Sequence, residues 1–253
     1  MNEQSLKRLA PTVAALLGLP APQLATEAPL DELVADLAPA ERVAVLAPDA
    51  LGWYPFGLWR HEMPYLDGLH KSRSMVLRAV MPTITPVNFS TMLTGAEKAG
   101  HGVGTFNDSF VCETLFDVLR REGHQSAGVG QKGYTGGELL GRFADLWGKA
   151  ESNTDAEVEE IALRFATEHR PKFMIVQLGT TDDVFHKYGP TSTEVLPVVR
   201  ETDERLRRMV ATLKNLGYAI IVTADHGQHD AEGGGGSHGQ ERDEDALVPL
   251  TWL

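Results

Sequence analysis

Apolar runs of strand length alternate with longer amphipathic stretches along most of the chain, separated by turns rich in glycine, proline and acidic residues. Three runs are nearly continuous: Arg42-Val-Ala-Val-Leu-Ala-Pro48, Phe173-Met-Ile-Val-Gln-Leu178 and Tyr218-Ala-Ile-Ile-Val-Thr223. Unbroken aliphatic runs of this length predict strands buried on both faces, as in a parallel sheet. Ser74–Val80, Gln125–Val129 and Leu247–Leu253 predict further strands. Helices are expected over Trp53–Leu69, over Glu113–Glu122 stopped by Gly123, over Thr154–His169 with Pro171 beyond its end, and over Thr191–Asn215 closed by Gly217. Residues 3–17 read as an amphipathic helix packing on the core. The alternation predicts an α/β fold with a mostly parallel sheet and helices on both faces. Residues 1–253 are expected to form one domain, with residues 1–40 as an N-terminal helical extension.

The chemistry collects where these strands end, which is where ligands bind in open α/β sheets. The first run delivers Asp49, followed by Gly52; the second leads to Asp182, with His186 four residues on; the third leads to Asp225-His226-Gly227, with His238 beyond. A helical turn after Asp182 would put Asp182 and His186 on one face, within reach of one ion. Adjacent residues on an extended chain point in opposite directions, so Asp225 and His226 are expected to face different ions. A single aspartate after a strand is ordinarily a turn former or a cap. Three of them, with three histidines beside them, point to a two-metal site. Mixed Asp and His donors suit zinc or manganese.

Composition narrows the partners. The net charge of −12 argues against a nucleic-acid-binding surface. A single cysteine, Cys112, excludes an internal disulfide framework and fits a reducing compartment; it reads as a small buried residue ahead of a helix. No stretch is long and apolar enough to span a membrane. Lys7–Leu19 superficially resembles a signal peptide, but Pro11 and Thr12 interrupt its short apolar run, and a cytoplasmic location is expected.

On Asp49, Thr85, Asp182, His186, Asp225, His226 and His238, in that order, the sequence resembles the alkaline phosphatase superfamily of two-metal phosphohydrolases, in its type I phosphodiesterase/nucleotide pyrophosphatase branch. Pro82-Thr-Ile-Thr85-Pro-Val-Asn88 resembles the family's nucleophile segment, and Asp182-Asp-Val-Phe-His186-Lys-Tyr-Gly189-Pro190 its metal motif. The resemblance extends over residues 42–253 and implies an alkaline phosphatase-like core without a cap domain. It implies two divalent metal ions, zinc ahead of manganese. One would be held by Asp182, His186 and His238, the other by Asp49, Asp225, His226 and Thr85. The implied activity is hydrolysis of phosphodiester or pyrophosphate bonds in a small phosphorylated substrate, through a covalent phosphothreonine at Thr85. Phosphomonoester hydrolysis, or a non-catalytic relative that binds metal or phosphate, are the alternatives. Oligomeric state is not implied.

From the residues alone, Thr85-Pro86 reads as a helix N-cap with proline at the first helical position. That is compatible with a nucleophile, because helix N-termini favour anions. Under the resemblance Asn88 donates its amide to a phosphoryl oxygen; read alone, it is a polar residue in a first helical turn. Lys132 and Tyr134 follow a strand at the same edge and are candidate substrate contacts. In nucleotide pyrophosphatases an aromatic residue follows the nucleophile and helps hold the base. Pro86 stands there instead, and Trp53 and Tyr54 read either as a replacement stacking surface or as core. A formylglycine-dependent sulfatase is disfavoured because threonine cannot serve. His101 is expected to be structural, His229 to lie in the second shell or in solvent, and His61, His70, His124 and His169 to lie on the surface.

Overall fold

The computed structural model describes residues 3–253. Eight strands make the main sheet among the described residues: β1 (Glu3–Ser5), β2 (Arg42–Pro48), β3 (Ser74–Arg78), β4 (Ser126–Gln131), β5 (Leu146–Ala150), β6 (Phe173–Leu178), β7 (Tyr218–Thr223) and β10 (Leu247–Trp252). Two short strands, β8 (His229–Asp230) and β9 (Gly236–Ser237), pair as a separate hairpin. The order across the main sheet is β1-β3-β10-β7-β2-β6-β4-β5. Every pairing is parallel except those of β10, which runs antiparallel to both β3 and β7. The expected α/β architecture is therefore the one found.

The three nearly continuous apolar runs are the three central strands. Val43 to Ala47 of β2 are each 0% exposed, which only a strand covered on both faces achieves. The helix Leu196–Asn215 lies on β7 and packs with the helices Pro64–Ser72 and Asp155–Glu168. The helix Leu9–Leu17 lies on β2 and packs with the helix Thr85–Thr94. Local capping explains several boundaries. Thr154 accepts the Glu157 amide and starts the helix Asp155–Glu168, while Thr114 and Asp117 form a reciprocal capping box ahead of Leu115–Arg121.

Several expectations are corrected. Residues 3–17 are not one helix: β1 pairs in parallel with β3, a 3₁₀ turn spans Leu6–Arg8, and the helix runs over Leu9–Leu17. A strand of three residues takes its conformation from its neighbour in the sheet, not from its own periodicity. The Trp53–Leu69 segment is two helices, Trp53–Trp59 and Pro64–Ser72, parted where Pro64 restarts the chain. The long helix starts at Leu196, after a 3₁₀ turn at Thr193–Val195. Strand β5, Leu-Trp-Gly-Lys-Ala, carries no β-branched residue and gave no strand signal. Cys112 is half-buried.

His70 is also not on the surface. It is 7% exposed and packs against Trp53 and Phe56, at ring-centroid distances of 5.6 and 5.0 Å. Burial, reinforced by the Arg60 charge, pushes its imidazole down to about 4 from an ordinary 6.5. The unfolded chain therefore takes up this proton first as pH falls. His70 supports the fold fully above pH 6.5 and progressively less toward pH 4. We expect His70→Leu to flatten the loss of stability between pH 6.5 and pH 4, read as the shift of the urea midpoint across that window; an unchanged shift would refute the assignment.

Candidate functional site

The register of the central strands builds the site. β2 lies between β7 and β6, all three parallel, so their carboxyl ends emerge side by side. Asp49 directly follows β2, Asp225 follows β7 by two residues, and Asp182 stands in the first turn of the helix Thr180–Tyr188 after β6. The loops behind Asp49 and Asp225 cross in contact: a Cβ on Gly52 would lie 2.3 Å from the Gly227 Cα, so the crossing requires the glycine.

The carboxylates and histidines expected from the sequence meet here. Asp49, Asp225 and His226 form one buried group, and Asp182, His226 and His238 a second, partly buried one, with the candidate ligand atoms of each within 4.8 Å of one another. His186 joins the second group, its Nε2 3.3 Å from Asp182 Oδ1 and 3.1 Å from His238 Nε2. The i, i+4 spacing on the helix Thr180–Tyr188 sets Asp182 and His186 side by side. His226 stands between the groups, its ring stacked on that of His238 at 4.1 Å and 21°.

One geometric expectation fails. Asp225 and His226 do not face apart: Asp225 Oδ2 lies 3.3 Å from His226 Nε2. Strand β7 ends at Thr223, so both residues lie beyond the extended segment and strand alternation no longer applies.

Each of the three imidazoles turns Nδ1 toward a backbone carbonyl: His186 toward Gly236 at 3.1 Å, His226 toward Gly227 at 2.9 Å, His238 toward Thr83 at 2.8 Å. A carbonyl only accepts, so Nδ1 carries the proton and, in the neutral ring, Nε2 is left with its lone pair directed at the carboxylates. His186 and His238 then set two lone pairs 3.1 Å apart with no proton between them. Asp182 Oδ1 and Asp225 Oδ2 are buried without a hydrogen-bond donor. Such an arrangement fits a cation and is costly without one. The residues present therefore fit a divalent metal cluster.

The electrostatics agree. Burial, followed by the charges of Asp225 and Asp182, holds the Asp49 carboxyl well above its ordinary range. Burial likewise raises Asp225, with His226 opposing. At Asp182 burial pushes upward, but the positive charge that His186 and the neighbouring histidines carry when protonated prevails and lowers it. Burial and the His226 charge bring His238 down to about 4.

Thr85 is the first residue of the helix Thr85–Thr94 and not its cap, which is Ile84. Its hydroxyl does not satisfy the helix end. It lies 3.1 Å from His226 Nε2 and 3.5 Å from Asp49 Oδ1. Asn88 is corrected more strongly. It is 0% exposed, its amide donates to the carbonyls of Val80, Pro82 and Ile84, and its Oδ1 accepts the Val80 amide. Its hydrogen bonds hold the segment leading into Thr85 and leave nothing for a substrate. Tyr134 donates to Asp183 Oδ1 at 2.6 Å beside the carboxylates, whereas Lys132 pairs with Glu151 at 2.7 Å. Trp53 packs on Phe56 and His70, as core, and Tyr54 is half-buried.

Gln177 and Thr181 also belong to the site. Gln177 donates to Asp49 Oδ2 and accepts the Gly136 amide. It was visible as the one polar residue inside the apolar β6 run. Thr181 donates to the Asp49 carbonyl at 2.6 Å. His229, expected in the second shell or in solvent, is 5% exposed and bonded to Asp245 at 2.6 Å.

Residues 135–240, which include Asp182, His186, Asp225, His226 and His238, match the family described as type I phosphodiesterase / nucleotide pyrophosphatase. By sequence the chain is similar to proteins of that description. It is 27% identical over 201 residues to venom phosphodiesterase 2 of Crotalus adamanteus, covering 68% of this chain and 25% of that protein. It is 24% identical over 199 residues to human ectonucleotide pyrophosphatase/phosphodiesterase family member 1, covering 67% and 21%. The chain thus spans about a quarter of these relatives' length. The fold is shared with phosphonoacetate hydrolase from Sinorhizobium meliloti 1021 (TM-score 0.58, 22% identity, 77% of this chain and 59% of that one). It is shared equally with murine ectonucleotide pyrophosphatase / phosphodiesterase 5 (TM-score 0.60, 20% identity, 76% and 58%). No helix among the described residues is long and apolar enough to cross a membrane.

Because Asp49 and Asp225 keep their protons longer in the fold than in the unfolded chain, the metal-free protein is expected to lose stability as pH rises above 3.8. A divalent ion should reverse this. Zinc or manganese at a hundredfold excess over its Kd is expected to stabilise the fold by about 2.7 kcal/mol. Asp225→Asn should be more stable than the parent in EDTA at alkaline pH and lose most of the metal response, both read by thermal unfolding.

Proposed function

We propose that the chain is a two-metal phosphohydrolase that cleaves phosphodiester or pyrophosphate bonds, with Thr85 as nucleophile. The observation that carries this reading is the position of Thr85: its hydroxyl stands at a helix N-terminus, 3.1 Å from His226 and 3.5 Å from Asp49, against the group formed by Asp49, Asp225 and His226. Murine ectonucleotide pyrophosphatase / phosphodiesterase 5, solved with AMP as an inactive threonine-to-alanine variant, supports it by likeness.

Asp49, Asp225 and His226 would hold one divalent ion, zinc ahead of manganese, and Asp182, His186 and His238 the other. When bound, such ions lower the pKa of a hydroxyl or water and neutralise phosphoryl charge. The chain's own part is positional. Asn88 and the Thr83 contacts fix the segment that presents Thr85, and the helix N-terminus favours the incoming anion. Thr85 Oγ1 bonds to phosphorus in line as its proton passes to solvent, while the bond from phosphorus to the leaving oxygen breaks and that oxygen takes up a proton from solvent. Water then adds to phosphorus, the bond to Oγ1 breaks, and the threonine hydroxyl is restored. Tyr134, bonded to Asp183 beside the carboxylates, would contact the substrate; Lys132, turned to Glu151, is a weaker candidate for the same role.

Bis-p-nitrophenyl phosphate and p-nitrophenyl phosphate, offered to zinc- and manganese-loaded protein, test the reading. Turnover of the diester is expected to exceed that of the monoester and to vanish in EDTA; the reverse preference makes the protein a phosphomonoesterase. Thr85→Ala is expected to lose at least about 10³-fold in kcat, on the scale of removing a nucleophile. Full turnover by the metal-replete variant rules out the covalent route.

A further inference from the structure

His226 and His238 arrive on a single excursion of the chain, from the end of β7 to the start of β10, with the glycine run Gly233–Gly236 at its tip. Nothing in the local sequence of such an excursion fixes the separation of two residues twelve positions apart. One buried group spans both of its arms. Asp245 is 0% exposed; its Oδ1 meets His229 Nδ1 at 2.6 Å and its Oδ2 accepts the Gln240 amide at 3.0 Å. The Asp245 carbonyl also accepts the amide of Gly227 at 2.7 Å. The carboxyl and carbonyl of one residue therefore reach the chain one and three residues after His226 and two residues after His238.

The approach is close enough to exclude a side chain. A Cβ on Gly227 would lie 2.1 Å from the Glu244 carbonyl oxygen, next to Asp245. The hairpin of β8 and β9 sets His229 opposite Ser237, which joins the arms once more beside His238. The same hairpin supplies the Gly236 carbonyl that orients His186.

We propose that Asp245 and His229 are positioning residues: a buried carboxylate–imidazole clamp that sets the separation of His226 and His238, and through Gly236 the orientation of His186. Neither residue touches substrate or metal. The inference rests on the metal-binding reading of the site, and its test separates the two.

Metal-free parent protein, His229→Ala, His229→Gln and Asp245→Asn are titrated with cobalt(II) and followed by visible absorption. Hydrogen exchange is measured on the peptides containing Gly227 and Gln240. His229→Ala is expected to weaken cobalt affinity by about 10–100-fold, alter the d–d spectrum and speed exchange at both amides. His229→Gln, which can still donate to the carboxylate, is expected to recover most of the affinity and spectrum. Asp230→Ala frees the same hairpin from Thr191, to which Asp230 Oδ1 bonds at 2.8 Å, and is expected to leave cobalt affinity unchanged. The clamp is overturned if His229→Ala binds cobalt within twofold of the parent, if His229→Gln is no better than His229→Ala, or if Asp230→Ala is equally impaired. Should Asp245→Asn fail to fold, the His229 pair decides alone. If the parent takes up no cobalt, the metal reading fails, and exchange at Gly227 and Gln240 judges the clamp: unchanged in His229→Ala, it is overturned.

Discussion

Three carboxylates brought together where water cannot solvate them are the constraint around which this protein is organised. Asp49 and Asp225 are 1% and 0% exposed, and Asp182 closes the same cluster. Like charges in a desolvated space repel, and the fold offsets that in graded ways. Gln177 donates to Asp49, the Ala50 amide donates to Asp225 at 3.2 Å, and His186 faces Asp182. The protein donors fall short of the acceptors, since Asp182 Oδ1 and Asp225 Oδ2 have no hydrogen-bond donor. The shortfall fits a cation better than an internal ion pair, and the parallel register of β7, β2 and β6 brings the carboxylates together.

Much of this was legible in the sequence because burial on both faces leaves a strong imprint. Strands β2, β6 and β7 declare themselves as apolar runs, and whatever follows such a run must emerge at one sheet edge. The positions of Asp49, Asp182, His186, Asp225, His226 and His238 after these runs therefore put them at one edge. What was not legible depended on the neighbour rather than on the residue. β1 is a strand only because β3 lies beside it. Asn88 has the same sequence whether its amide meets a phosphate or three carbonyls. The relation of Asp225 to His226 turned on where β7 stops, two residues before the pair.

His70 was misplaced for a related reason, while His229, expected in the second shell or in solvent, lies in the second shell. A histidine in an amphipathic or polar stretch is assigned to water unless something across the fold claims it. Trp53 and Phe56 claim His70, and Asp245 claims His229. Gln177 is the opposite case, a polar residue in an apolar run whose very misfit marked a partner. The Asp49 carboxylate is that partner.

β10 enters the middle of the sheet, antiparallel, between β3 and β7. The strand leading to Thr85 and the strand leading to Asp225 and His226 are therefore never direct neighbours; Leu247–Trp252 is the element that joins them. During synthesis the segments carrying nucleophile and ligands all leave the ribosome before that joining strand does. Without β10, the pair β1-β3 and the five strands β7-β2-β6-β4-β5 share no hydrogen-bonded neighbour, so residues 247–252 complete the one sheet that carries both Thr85 and its facing ligands.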